Sequence, residues 1–85
     1  MLQDPLTEQE RARVVSEVKF HLVQQELERN LACKILFILL DRYQRSGEPC
    51  HKELSLHLGD GISRKIKIHL YNSKRDKDTV VITTQ

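Results

Sequence analysis

The sequence predicts an α+β fold, helices first and sheet second, from two periodicities that meet at Pro49. Before Pro49, apolar residues recur at intervals of three and four, as on an amphipathic helix. After it they alternate: Leu54, Leu56, Leu58, then Ile66, Ile68, Leu70, then Val80, Ile82. Period two is the pattern of strands buried on one face.

The first helix has a clear start. Thr7-Glu8-Gln9-Glu10 fits a capping box, with Thr7 as N-cap and Glu10 at the third helical position. Acidic Glu8 and Glu10 also suit the positive end of the helix dipole. Leu6 takes the place of a hydrophobic staple residue, but its fourth-position partner would be Arg11, so that motif is half present. Val14, Val15, Val18 and Leu22 fall within an arc of roughly 100°. Leu27 and Leu31 fall on nearly the opposite side of the same straight helix, so the stripe jumps near Glu28-Arg29-Asn30. Two accounts fit the jump: a turn with Asn30 as a cap, or one long helix that uses different faces. Against a break, Glu26-Leu27-Glu28-Arg29 contains no Gly or Pro.

From Leu31 to Tyr43 the apolar residues lie nearly all round the helix, which asks for cover on most sides. Ser46-Gly47-Glu48-Pro49 ends it, with Gly47 as the residue just past the helix. Three strands are expected next, at His51–Leu58, Arg64–Tyr71 and Thr79–Thr84, joined by Gly59-Asp60-Gly61 and by the polar run 72–78. Loops this short favour an antiparallel meander. Even-numbered strand residues would face the helices and odd-numbered ones would face outward.

Eighty-five residues predict a single domain (helical part 7–46, sheet part 51–84) with a small core. A hydrophobic content of 39% with 31% charged residues is that of an ordinary globular chain, not a disordered one. The net charge of +2 demands neither nucleic acid nor an anionic membrane. The longest apolar run, Ile35 to Leu40, falls far short of a membrane span. Two cysteines, Cys33 and Cys50, are too few for a disulfide scaffold. With a polar start that does not read as a signal peptide, they predict a reducing cytoplasmic setting, with the nucleus left open.

Residues able to carry chemistry are sparse. The outward sheet face would present Lys65, Lys67, His69, Tyr71 and His57, a set able to hold phosphates and stack on a base. His57 and His69 are expected as diagonal neighbours there, and Ser55 opposite His69. No Cys-x-x-Cys or His-x-x-x-His pair marks a metal site, and no carboxylate is placed to orient a His beside a nucleophile. Arg11, Arg13, Lys19 and Arg29 are interleaved with Glu10, Glu17, Glu26 and Glu28, which marks a solvated helix face.

The expectation is therefore two N-terminal helices, or one long helix, followed by a three-stranded antiparallel β-meander, working as a homodimer. The dimer or partner interface would use Leu31, Ile35, Ile38 and Leu39 of the apolar helix and Val81 of the last strand. The expected function is a small non-enzymatic adaptor or regulatory module that binds itself and another protein. It takes no cofactor, metal, small-molecule substrate or membrane. The alternative is an RNA-binding protein that uses the basic sheet face.

Overall fold

In the computed structural model, which describes residues 4–57, 59–75 and 80–84, the chain runs through two helices and then a sheet. The elements are α1 (Glu8–Gln24), α2 (Leu31–Ser46), β1 (Cys50–His57), β2 (Ser63–Leu70) and β3 (Val80–Thr84). In β3 the description covers the backbone and the Ile82 side chain. The fold is α+β. Leu58, Thr79, Asp76 to Asp78 and the side chains of Val80 and Val81, which the sequence reading assigned to strands or a loop tip, lie outside the described residues.

Thr7 starts α1 by the expected reciprocal pair. Its hydroxyl accepts from the Glu10 backbone N–H at 3.1 Å, and the Glu10 carboxylate accepts from the Thr7 N–H at 3.0 Å. That backbone N–H holds the Glu10 carboxyl below its usual range, with help from Lys74 at 3.4 Å.

The choice between one helix and two is decided at Glu26. α1 stops with the Glu26 N–H donating to the Val23 carbonyl and the Leu27 N–H donating to the Leu22 carbonyl, both at 2.9 Å. Those two bonds define a Schellman closure, in which the residue past the cap turns left-handed. Here that residue is Glu26, with φ of 56°, where glycine is usual. Leu27 is thereby turned inward and is 1% exposed. It lies in the turn between the helices. Asn30 then caps α2, its side chain accepting from the Ala32 N–H at 3.0 Å.

α2 runs back along α1. Lys19 reaches Asp41 at 2.9 Å, and the Arg11 Nε donates to the Gln44 carbonyl at 2.9 Å near the negative end of α2. Gly47 ends α2 with φ of 74°, and a Cβ there would lie 2.6 Å from the Asn72 amide nitrogen. The left-handed backbone favours glycine, and any side chain there would also have to displace the Asn72 amide.

The sheet is antiparallel in the order β1-β2-β3, and its body is the hairpin of β1 and β2. β1 and β2 pair from Cys50↔Leu70 to His57↔Ser63, and the five-residue β3 runs antiparallel along the other side of β2. Leu54 and Leu56 on β1 and Ile66, Ile68 and Leu70 on β2 all turn inward and are buried. They meet Val15, Val18 and Leu22 of α1 and Cys33, Leu36, Leu40 and Tyr43 of α2 in one core. α2 packs on β1, while α1 lies against α2 and reaches β3. The result is one helical layer on one sheet, each with an outer face left over.

Two outcomes test this account. Glu26→Gly should stabilise the protein by about 1 kcal/mol by removing the left-handed penalty, raising Tm by roughly 4–8 °C in thermal denaturation. An unchanged or lower Tm would contradict the Schellman closure. Because the folded Glu10 carboxyl sits below its unfolded value, its contribution is present above the ordinary carboxyl range. It is lost as pH falls through the depressed value. Urea titrations at acidic and neutral pH should therefore show a smaller acid loss for Glu10→Gln than for the parent.

Candidate functional site

Strict alternation, pinned by the buried even-numbered residues, fixes which side chains reach the outer sheet face. On β1 these are His51, Glu53, Ser55 and His57, all exposed. On β2 they are Lys65, Lys67 and the half-buried His69, with Tyr71 just past the strand end at 42% exposure. The register then sets the neighbours. His69 lies opposite His51, so its expected partners are corrected: Ser55 faces Lys65, and His57 faces Ser63 at the far end of the hairpin. His57 stands six residues from His51 along β1, roughly 20 Å away at the rise of a strand.

The structure instead brings together a row of rings. His51 and His69 lie with centroids 4.0 Å apart and planes 32° from parallel. Tyr71 continues the row, 6.4 Å from His69 at 37°. Tyr71 is held through its backbone: the buried Tyr43 of α2 donates its hydroxyl to the Tyr71 carbonyl at 3.0 Å. Burial pushes the Tyr43 phenol above its ordinary pKa, so it stays a donor. Beside the rings, Lys67 pairs with Glu53 at 3.4 Å, both side chains being more than half exposed. Such a pair holds its partners weakly.

The outer face of the helical layer is chemically the opposite. At about 100° per residue, Leu31, Ile35 and Ile38 fall within roughly 60° of one another and point away from the sheet. They are 71%, 48% and 62% exposed. Leu39 is half-buried and packed against the core, and Phe37 is likewise half-buried, with Lys19 Nζ 5.5 Å from its ring centre. Val81 pairs with His69 through its backbone. The all-round apolar character of α2 thus divides into a covered side and a bare stripe.

Two residues escaped the sequence reading. Phe20 and Val23 of α1 are also exposed, at 63% and 49%. Their position off the Val15-Val18-Leu22 stripe was the available signal. The sequence reading weighed His51 beside Cys50 and as a metal ligand but not as the partner of His69, because that pairing depends on the register, which the loop around Gly59-Asp60-Gly61 sets.

Both cysteines are free and buried, and burial pushes both thiols above their usual pKa. Cys50 and His51 point to opposite faces, one buried and one exposed. Among the described residues, no three His, Cys, Asp or Glu side chains gather closely enough to hold a metal ion. Nor is any helix among them long and apolar enough to cross a membrane. Between α2 and the start of β1 lies a cleft of about 170 Å³ lined by Leu39, Arg42, Tyr43, Glu48, Pro49, Cys50 and His51. It is smaller than the pockets that enclose most small ligands.

No family model, curated protein or solved structure matches the chain.

The buried, protonated thiols should be inert. Ellman's reagent at neutral pH should titrate neither Cys33 nor Cys50 in the folded protein, and both in denaturant. Rapid reaction of either in the folded state would contradict the burial described.

Proposed function

We propose that this chain is a small non-enzymatic interaction module, adaptor or regulatory in role, that works as a homodimer through the outward face of its helical layer. The observation that carries the reading is the bare stripe of Leu31, Ile35 and Ile38. These are three large aliphatic side chains on one face, diametrically opposite the core, in a chain with few such residues to spare. A contiguous exposed apolar patch on so small a domain marks a contact surface more often than chance.

A second copy suits this stripe by symmetry. In an antiparallel two-fold contact centred between Ile35 and Ile38, each Ile35 meets the other copy's Ile38. Leu31 then lies along the stem of Arg42, and the two Arg42 guanidinium groups stay at opposite ends. Phe20 and Val23 extend the same outer layer and would lie at the rim or meet a further protein.

Sedimentation equilibrium checks the reading. The parent should be dimeric at micromolar to sub-millimolar concentration, and Ile38→Asp should be monomeric with an unchanged far-ultraviolet circular dichroism spectrum. Ile38 is the position of choice because, unlike Leu39, it is largely exposed. A parent that stays monomeric at the highest soluble concentration would overturn the homodimer.

A further inference from the structure

We infer that the outer sheet face is a binding site for unpaired nucleobases on a phosphate backbone, with single-stranded RNA as the ligand. The inference stands on the ring row and needs nothing from the helical stripe, which lies on the other side of the molecule.

The chemistry of such a ligand has two parts, flat aromatic faces and regularly spaced anions. Nonspecific single-strand binders meet them with exposed rings and a groove of cations. Here His51, His69 and Tyr71 form a continuous row across two strands, with ring centres 4.0 and 6.4 Å apart. His69 is the covered middle of the row, while His51 and Tyr71 keep free ring surface at its two ends. The row is also held from beneath. The buried Leu54, Ile66, Ile68 and Leu70 fix the register, and the Tyr43 hydroxyl fixes the backbone of Tyr71 at 3.0 Å. A platform fixed in this way loses little freedom when a base stacks on it.

Cations flank the row on the same face. Lys67 is one pair of residues along β2 from His69, and Lys65 one pair further; both are exposed. Arg42 of α2 lines the cleft of about 170 Å³ that also touches His51, but it belongs to the helical layer and is not one of these cations. Two acids oppose them: Glu48 in that cleft, and Glu53, which engages Lys67 at 3.4 Å. A phosphate would compete with Glu53 for Lys67 across an exposed, weakly held pair. The site is therefore modest in charge and depends on stacking. That balance favours flexible single strands, whose bases can be splayed onto rings, over duplexes, whose bases are occupied.

The test is fluorescence anisotropy of short labelled single-stranded RNA, single-stranded DNA and duplex RNA, titrated with the full chain at low and physiological salt. Single-stranded RNA should bind, more weakly as salt rises, and duplex RNA should bind less well. Tyr71→Ala, which leaves the carbonyl used by Tyr43 in place, should weaken binding roughly 5- to 100-fold. The double change Lys65→Glu and Lys67→Glu should flatten the salt dependence by roughly 0.7 in log–log slope for each lysine lost. Glu53→Gln should tighten binding by releasing Lys67. Equal binding of single-stranded DNA would support the ring site and overturn RNA as its particular ligand. No binding of either single strand at low salt would overturn the inference. So would binding indifferent to Tyr71→Ala in a variant with the parent's melting temperature, or a preference for duplex RNA.

Discussion

The rest of the structure depends on the left-handed turn at Glu26. A straight helix from Glu8 to Ser46 would be more than 50 Å long at 1.5 Å per residue and could not lie on a hairpin of eight-residue strands. Two backbone bonds and one unfavourable φ reverse the chain within a few residues. Leu27 makes the reversal worthwhile, because the closure that bends the backbone also buries its side chain. The penalty at Glu26 is on the order of 1 kcal/mol, and full burial of a leucine gains about 1.5–3 kcal/mol. The turn therefore forms without the glycine that normally marks one.

Once α2 folds back, polar groups of α1 and β2 can meet it at fixed points. Arg11 bonds both the Gln44 carbonyl and the Leu6 carbonyl, the latter at 2.7 Å, and so joins the chain before α1 to the end of α2. Tyr43 does the corresponding work between layers, contributing a ring to the core and a hydroxyl to the backbone at Tyr71. Buried polar bonds of this kind add modest net stability, but breaking one leaves a buried group unsatisfied. They set how the helices sit on the sheet, where aliphatic contacts alone would permit sliding.

A single helical layer on a single small sheet has two outer faces, and here their chemistry diverges. The helical one carries aliphatic side chains with no partner among the described residues. The sheet one carries rings, lysines and a carboxylate. Apolar surface gains by contact with similar surface, at roughly 25 cal/mol per Å² removed from water. Polar rings and ammonium groups keep their hydration until a ligand replaces it. The two faces are thus suited to different occupants, and occupation of one leaves the other open.

Local chemistry made much of this fold legible in advance. The capping box at Thr7, the Asn30 cap, the Gly47 stop and the alternation of Leu54, Leu56, Ile66, Ile68 and Leu70 each rest on a few adjacent residues, and each is found in the structure. Strand boundaries moved by a residue, as assignments of element ends commonly do. Three features were not legible. The left-handed Glu26 lacks the glycine that usually marks such a turn, the pairing of His69 with His51 hangs on the register of the hairpin, and the split of α2 into covered and bare sides depends on residues distant in the chain. A helix pattern says which residues are apolar, not which of them the partner layer reaches. A strand pattern says which face a histidine is on, not which residue it meets. By itself the sequence determined the elements, their caps and their inward faces, because those are settled within a turn or a strand. Only the tertiary structure decided the register and the uncovered surface, because the first needs two strands laid side by side and the second needs one layer packed on the other.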